Sequence, residues 1–302
     1  MSMDTTDFQV RYYDRELGEE RSTIEPSSGA LDFAYGTPVG RLLLKVMASS
    51  GPSAVWGSLM RLPVSRGRIR RFCCKNGITN ASLVRDGFAP MDAYVSYADF
   101  FARTRLVTCD GAPGTLYAPV DGYLLARRIN EGFSVDVKGT TYTIPQLLGR
   151  ADPLYQEELR GGHCLVFRLS LTDYHHFHYP AAGRLVAQYQ VPGTLHSVRP
   201  VAAGKRPYST NKRSVSVLSL NAFGLAMMVE VGAMLVGQIV QDKLGETAQF
   251  AAGQHKGQFL LGGSTVVLLV GNTVDMDDDI ARASARGIEA RVRAGTRIGV
   301  QA

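Results

Sequence analysis

The sequence predicts an α+β protein in which a helical N-terminal layer packs on a β-rich, mainly antiparallel body. Apolar residues recur at three- and four-residue spacing in 38–48, 54–61 and 92–103, which is typical of amphipathic helices. From about residue 106 onward, short Val-rich runs with two-residue alternation dominate, as expected of strands. We therefore assign residues 1–105 to the helical region and residues 106–302 to the β-rich domain.

The individual elements follow from these patterns and from the residues that interrupt them. Pro38, Gly51-Pro52 and Pro63 punctuate the helix-like segments. Gly-rich segments at 111–114 and 204–209 are expected to be loops. Most of the predicted strands are bounded by Gly, Pro or Asn, and they span 132–137, 164–169, 215–220, 225–231 and 266–270.

Length and composition are those of a globular protein. The chain has 302 residues, of which 45% are hydrophobic and 20% are charged, so it can bury a sizeable core without disulfides. This excludes disordered, collagen-like and disulfide-scaffold proteins. The four cysteines have no repeated short spacing, which predicts no zinc ribbon and favours a reducing compartment. They are Cys73, Cys74, Cys109 and Cys164.

No segment is predicted to cross a membrane. The most apolar region, 218–240, is interrupted by Asn221, Glu230 and Gln238, whereas a spanning helix needs about 20 mostly apolar residues. We interpret this region as buried β-structure. The polar, mixed-charge N-terminus is not typical of a secretory signal, so we expect a soluble or peripheral protein.

Positive charge is concentrated in one stretch. The formal net charge is +6, and residues 41–75 contain eight basic residues and no acidic one, beside many apolar residues and the single tryptophan, Trp56. Such a stretch can lie on an anionic membrane with its basic groups at the lipid headgroups. It can also be an ordinary solvated face of a packed helix. Nucleic acid is the weakest alternative, because no nucleic-acid-binding motif accompanies the cluster.

Three histidines lie within four residues in the segment Asp173-Tyr-His175-His176-Phe-His178. Histidines can transfer protons near neutral pH. Nearby Cys or acidic ligands at metal-site spacing are missing, so no metal is predicted. The alternative is that these histidines are merely polar residues at the end of a strand.

Two further segments have an ordinary and a chemical interpretation. Asp121 precedes a glycine, which is a common turn. Gly262-Gly263-Ser264-Thr265 precedes an apolar run and is most simply a loop. However, glycine leaves its carbonyl unhindered, and an activated serine hydroxyl can attack it. The resulting ester can undergo β-elimination, which splits the chain and leaves a pyruvoyl group made from Ser264.

Taken together, these segments resemble the phosphatidylserine decarboxylase family of self-cleaving pyruvoyl enzymes. The resemblance covers nearly the whole chain in order. The matching motifs include Phe100-Phe-Ala-Arg103, Ala118-Pro-Val-Asp121-Gly122, Val137-Lys138-Gly139, Leu147-Leu-Gly149, Asp173-Tyr-His175, Phe177-His178, Gly193-Thr-Leu-His-Ser-Val198, Asn211-Lys-Arg213, Val231-Gly-Ala233, Val236-Gly237, Lys256-Gly257, Gly262-Gly263-Ser264-Thr265 and Ile288-Glu-Ala-Arg-Val292.

The resemblance implies a role for each candidate residue. Asp121, His178 and Ser264 would form the self-processing triad, with His178 taking the serine proton and Asp121 orienting the imidazole. Cleavage would fall between Gly263 and Ser264, and Ser264 would become the pyruvoyl cofactor. This group would form a Schiff base with phosphatidylserine, release CO2 and give phosphatidylethanolamine. His175 would protonate the carbon that loses CO2.

The resemblance also implies partners and a location. We expect a homodimer of processed α/β protomers that binds its phospholipid substrate at an anionic membrane surface, as a peripheral protein on the cytoplasmic face, with stretch 41–75 as the contact. Nucleic acid is not an expected partner.

Some positions depart from the family pattern. His176 stands where Arg is common, and Gln254-His255 replace acidic residues. Two alternatives therefore stay open, namely a related pyruvoyl decarboxylase acting on a soluble amino acid such as an aromatic one, and a catalytically silent lipid-binding relative.

Overall fold

The computed structural model describes residues 8–25, 29–137, 139–198, 200–234, 238–261 and 264–302. Its strands, in chain order, are β1 (Phe8–Asp14), β2 (Glu19–Glu25), β3 (Thr115–Tyr117), β4 (Gly122–Arg128), β5 (Ser134–Val137), β6 (Thr140–Thr143), β7 (His163–Leu169), β8 (His176–His178), β9 (Gly183–Val191), β10 (Arg213–Leu220), β11 (Gly224–Val231), β12 (Gln238–Gln241), β13 (Gln249–Phe250), β14 (His255–Leu260), β15 (Ser264–Val270), β16 (Val274–Met276), β17 (Glu289–Val292) and β18 (Arg297–Gln301).

The helices follow the same order. They are α1 (Gly29–Gly36), α2 (Pro38–Met47), α3 (Ser50–Arg61), α4 (Gly67–Lys75), α5 (Asn80–Arg85), α6 (Tyr97–Phe101), α7 (Ile144–Leu148), α8 (Pro153–Glu158), α9 (Pro207–Thr210) and α10 (Asp278–Ala285). The predicted α+β fold is therefore confirmed, with most helices before residue 105 and most strands after it.

A ten-stranded sheet forms the body of the protein. Its strand order is β13-β9-β10-β11-β15-β7-β4-β17-β1-β2. Strands β1 and β17 run parallel, and the other strand pairs of this sheet are antiparallel. A smaller sheet, β12-β14-β8, contains the histidine-rich strand.

The central strands are buried on both faces. Every residue of β7 and of β15 is buried, which is why their sequences are nearly continuous apolar runs. Strand β9, nearer the edge, alternates between more and less buried positions. The five strands predicted from alternation are all present, at slightly different bounds. Strand β15 begins at Ser264, so the candidate nucleophile lies at the end of a central strand.

The helical layer has a small core of its own. Ile69, Cys73, Leu83, Tyr94 and Phe100 pack together beneath the helices. A second cluster joins this layer to the β-rich body, and its buried members are Met60, Phe101 and Leu261. Because Leu261 precedes the predicted cleavage site, the helical layer packs against the segment that leads to Ser264.

The first described residues form an antiparallel hairpin that was not predicted. Strands β1 and β2 extend the main sheet, and Arg15 at their turn bonds to Asp279 at 2.6 Å and to Asp277 at 2.7 Å. The second strand has the sequence EERSTIE, with one large apolar residue. An edge strand buries little, so its sequence carries little alternation.

One expected loop is wrong. Segment 204–209 contains the end of a 3₁₀ turn and the start of α9. Pro207 occupies the first turn of that helix, where the fixed φ of proline suits helical geometry. Segment 111–114 lies in a connection, as predicted.

Among the residues that the structure describes, no helix is both long and apolar enough to cross a bilayer.

Candidate active site

Ser264 and His175 face each other at the junction of the two sheets. Ser264 is fully buried and pairs with Leu169 across β15 and β7. His175 immediately precedes β8, is also fully buried, and places Nδ1 3.3 Å from Ser264 Oγ. The ring of Phe101, the last residue of α6, stacks on the imidazole with centroids 4.2 Å apart. This geometry places an imidazole within hydrogen-bond distance of the serine hydroxyl.

His178 lies near this pair, but its ring nitrogens have other partners. Nδ1 is 3.0 Å from the Gly253 carbonyl, which can only accept, so Nδ1 carries the hydrogen. Nε2 is therefore the acceptor, and it lies 3.2 Å from the Tyr174 hydroxyl. The two bonds fix the tautomer of His178, and neither of them leads to Ser264 or Asp121.

Asp121 is held from two directions. Its Oδ1 lies 2.5 Å from an Arg105 guanidinium nitrogen and accepts a 2.8 Å bond from the Ala294 N–H. Burial raises the pKa of Asp121, while Arg105 opposes that rise. Asp121 is thus a buried carboxyl group with a cation beside it, on the same side of the protein as Tyr174 and His178.

A second buried carboxylate, Asp173, orders the segment that precedes the histidines. It accepts bonds from the Ser170 N–H at 2.7 Å and from Arg291 at 2.8 Å. Burial works against its ionisation, but the ion pair with Arg291 and these hydrogen bonds outweigh burial and lower the pKa of Asp173. Arg103 donates to the carbonyls of Thr172 and Asp173, at 2.5 and 2.9 Å.

His176 connects the site to the surface. Its Nε2 donates to the Ala102 carbonyl at 3.0 Å, so its Nδ1 accepts from His255 Nε2 at 2.7 Å. His255 Nδ1 in turn lies 2.5 Å from the half-exposed Asp242. The two positions that depart from the family pattern, His176 and His255, therefore contact each other.

Burial keeps the three histidines of this segment neutral. It lowers the pKa of His175 to about 3, with a further contribution from Arg103. It also lowers the pKa values of His176 and His178 to about 4. A neutral imidazole has an unprotonated nitrogen that can accept the proton of a hydroxyl.

The structure thus joins His175 to Ser264, and it joins neither His178 nor Asp121 to that serine by a hydrogen bond. Gly262, Gly263, Lys138 and the motif Val236-Gly237 lie outside the described residues. The residues that are described fit the formation of a pyruvoyl group from Ser264, because its hydroxyl is buried beside a neutral histidine.

Several contacts of the site were not predicted from the sequence. In the sequence, the Phe-Phe-Ala-Arg motif stands out only through the family resemblance. In the structure, Phe101 stacks on His175, the Ala102 carbonyl accepts from His176, and Arg103 anchors the turn that precedes the histidines. Arg105 lies two residues after this motif. The position of such a motif in sequence, far from the histidines, gives no signal of these contacts.

A polar cavity of about 490 Å³ opens beside Asp121, and Asp173, Tyr174 and Arg291 also line it. Within the described ranges, no group of three or more His, Cys, Asp and Glu side chains is arranged to hold a metal ion.

Comparison with known proteins gives consistent matches. The sequence profile described as "Phosphatidylserine decarboxylase" matches residues 97–300. "Phosphatidylserine decarboxylase proenzyme 2" of Clostridium acetobutylicum is 32% identical over 295 residues, which cover 96% of this chain and 98% of that protein. A "Phosphatidylserine decarboxylase proenzyme" of Desulfitobacterium hafniense is 33% identical over 302 residues, with 97% and 98% coverage. Another, of Clostridium perfringens, is 33% identical over 277 residues, with 89% and 92% coverage. The chain belongs to the phosphatidylserine decarboxylase family.

Proposed function

We propose that this chain is a phosphatidylserine decarboxylase proenzyme, which cleaves itself before Ser264 and then converts phosphatidylserine to phosphatidylethanolamine and CO2. One observation carries the proposal, the approach of His175 Nδ1 to within 3.3 Å of the buried Ser264 Oγ at the start of a central strand. Family membership supports it, and so does the word proenzyme in the names of the relatives.

Self-cleavage requires no co-reactant other than water. Ser264 Oγ loses its proton to a histidine and attacks the Gly263 carbonyl carbon, so the peptide bond becomes an ester and the serine nitrogen becomes an amine. Loss of the Ser264 Cα proton then expels the Gly263 carboxylate, and residues 1–263 separate covalently from residues 264–302. Hydrolysis of the remaining dehydroalanine releases ammonia and leaves a pyruvoyl group at the new N-terminus.

We assign the self-cleavage to Asp121, His178 and Ser264, and the decarboxylation to His175. The contact between His175 and Ser264 in the intact chain supports a place for His175 next to the reacting atoms of both steps. His178 and Asp121 lie in the adjoining network of Tyr174 and Arg105. Single variants of the two histidines separate these roles.

In the decarboxylation, the pyruvoyl group supplies an electrophilic carbonyl that takes the substrate amine and draws electrons from the bond to the carboxylate. His175 then has two tasks. Its neutral imidazole takes up a proton that the substrate ammonium loses on condensation and returns it to the carbon that has lost CO2. Its stacking against Phe101 holds the ring in place for this transfer. The burial of both groups excludes bulk water from the reacting atoms.

The proposed substrate is a lipid, and the helical layer supports a contact with its bilayer. Exposed apolar side chains of α2 and α3 stand beside the basic residues of stretch 41–75; they are Val39, Leu42, Leu43, Val55 and Leu59. Exposed apolar groups next to basic ones are typical of a helix that lies in the interface of an anionic membrane. The proposal therefore includes peripheral association with a membrane through these helices. As the family resemblance implies, it also includes a location on the cytoplasmic face and a homodimer of processed protomers.

Mass spectrometry of the purified chain tests the self-cleavage. We expect two fragments that meet between Gly263 and Ser264, the smaller beginning with a 2-oxo group and lacking ammonia. A single unmodified mass of the 302-residue chain, persisting at neutral pH with lipid present, would remove the electrophile and favour the silent lipid-binding relative.

A decarboxylase for a soluble amino acid is the second candidate, because His176 and His255 replace the residues common in the family and line one edge of the site. Release of CO2 from detergent-dispersed phosphatidylserine and from free aromatic amino acids, measured on the same cleaved preparation, separates the two substrates.

A further inference from the structure

A small cavity lies between helix α3 and the segment that precedes Ser264. Its volume is about 90 Å³, and its lining residues include Ser53, Gly57, Ser58 and Arg61 on α3, opposite Leu260 and Leu261. One water needs only about 10–15 Å³ of such space, so the cavity has room for a group of several heavy atoms. Neither the proposed self-cleavage nor the proposed proton transfer involves these residues of α3.

One polar atom of this cavity lacks a partner. Ser53 is only 3% exposed, and its Oγ has no hydrogen-bond partner within the described part of the chain. An unpaired buried hydroxyl is unfavourable, so native proteins rarely keep one without a ligand or a role. A group that accepts hydrogen bonds is therefore the expected occupant.

The charge around the cavity favours an anion. Arg61 donates to Gln238 Oε1 at 3.0 Å and forms no ion pair with a carboxylate among the residues described. Among the described residues no acidic side chain lines the cavity, and α3 lies within the acid-free stretch 41–75. The remaining guanidinium donors of Arg61 are suited to phosphate or carboxylate oxygens.

The position of the cavity relates it to the candidate active site. Leu261 lines the cavity and also packs with Met60 and Phe101 in one cluster. Phe101 in turn stacks on His175, whose Nδ1 faces Ser264. A group bound at α3 is thus connected to the reacting atoms through Leu261, Phe101 and His175.

We propose that this cavity binds the phosphate of the phospholipid headgroup, with Arg61 and Ser53 donating to its oxygens. The proposal rests on the proposed function, because the serine moiety of that headgroup must reach Ser264 while its phosphate stays behind. Exposed apolar side chains lie on α3 itself and on the neighbouring helix α2. The acyl chains of the lipid would leave the site along them. Arg61 and Ser53 are then specificity residues that distinguish a phospholipid from a free amino acid.

Binding of a soluble headgroup tests this site apart from turnover and from membrane attachment. The probe is glycerophosphoserine, titrated by calorimetry into the uncleaved Ser264→Ala chain. Adding Arg61→Ala should weaken binding roughly 10- to 100-fold, as expected for a lost charge-assisted bond. Adding Ser53→Ala should weaken it about fivefold. Neither change should alter the binding of free L-serine.

A cavity-filling variant provides an independent test with a matched control. Gly57 lines the cavity, and a Cβ built on it meets no atom within 4 Å. The side chain of Gly57→Leu should therefore fill the cavity and abolish glycerophosphoserine binding. Gly51 lies on the same helix, has the same open surroundings and does not line the cavity. Gly51→Leu should therefore bind the probe as the parent chain does.

Three results would overturn the inference. They are unchanged binding in Arg61→Ala, equal loss in both glycine variants, or tight binding of inorganic phosphate with none of glycerophosphoserine, which would indicate a site for free phosphate. Lack of decarboxylation by the wild-type chain would instead contradict the proposed function, since the titration reads the cavity without turnover.

Discussion

Lys256 Nζ lies 2.7 Å from Glu230 Oε1, and both side chains are fully buried. Gln241 completes the group, accepting from Lys256 at 2.8 Å and donating to the second oxygen of Glu230 at 2.8 Å. Burial raises the pKa of Glu230 and lowers that of Lys256, so each charge opposes the shift of the other. The pair ties β14, which leads to the cleavage site, to β11, the neighbour of β15.

Replacing one member of this pair should be far more costly than replacing both. Lys256→Met should lower the free energy of unfolding by about 3–5 kcal/mol, because it leaves a buried carboxylate uncompensated. Adding Glu230→Gln removes that charge and keeps a group that can bond to Gln241, so most of the loss should be recovered. Urea unfolding of both variants in the uncleaved Ser264→Ala chain measures this. A double variant as unstable as the single one would show that packing, and not charge, holds this position.

Variants of the two histidines should separate cleavage from turnover. His175→Ala should still give the two fragments but release no CO2, since it lacks the group that protonates carbon. His178→Ala should remain at full length. Intact mass and CO2 release measure the two outcomes, and Ser264→Ala, which should stay uncleaved and inactive, is the control. A His175→Ala chain that stays at full length would assign the serine proton to His175, as its 3.3 Å contact permits.

Stability should fall as the pH drops from about 6.5 toward 4. Burial lowers the pKa values of His163, His176 and His178 to about 4 and that of His175 to about 3. The unfolded chain therefore binds more protons in this range, and each histidine contributes about 1.4 kcal/mol per pH unit. The stability that the neutral histidines contribute is complete above about pH 6.5, and it is lost as the pH falls to their pKa values in the folded chain.

Two carboxyl groups oppose this trend. Burial raises the pKa values of Asp121 and Glu230, so the net slope should be smaller than four histidines alone would give. Urea midpoints of the Ser264→Ala chain across this pH range measure how the free energy of unfolding changes with pH. His163 lies outside the site, and His163→Asn should lower the number of protons taken up on unfolding by about one. Stability that is constant or rises toward acid would show that the histidines are solvated.

Exposed leucines of α2 should govern attachment to vesicles. Leu42 and Leu43 are 66% and 55% exposed beside Arg41 and Lys45. Changing both leucines to serine should weaken co-sedimentation with phosphatidylserine vesicles at least tenfold, because each buried leucine contributes about 1.5–3 kcal/mol. The matched control is Leu106→Ser, because Leu106 is 84% exposed but lies in the connection between α6 and β3, outside stretch 41–75. Equal sedimentation of the parent chain, the double variant and the control would show that stretch 41–75 is a solvated face and does not contact the membrane.

The parts of the fold that the sequence predicted are those in which burial dictates residue type. Strands β7 and β15 are buried along their whole length, so their apolar runs stand out. The hairpin of β1 and β2 escaped prediction because its outer strand has almost no apolar residues.

At the site, the clustering of the histidines indicated proton-transfer groups, and the family resemblance pointed to Asp121 and Ser264. It gave no indication that His175 would face Ser264 or that Arg105 would pair with Asp121. Those contacts arise from the register of β8 and β15 in different sheets and from the end of α6, which local patterns do not encode.

The placement of β15 between β11 and β7 affects how the protein can refold after it has been cleaved. A cut before Ser264 would make residues 264–302 a separate chain that supplies two inner strands, β15 and β17, to a sheet otherwise built from the larger chain. The precursor can fold as one continuous chain, whereas the mature protein, once denatured, would need two chains to find each other. Its recovery would slow with dilution, so maturation would exchange reversible folding for a structure that persists only because it is slow to unfold.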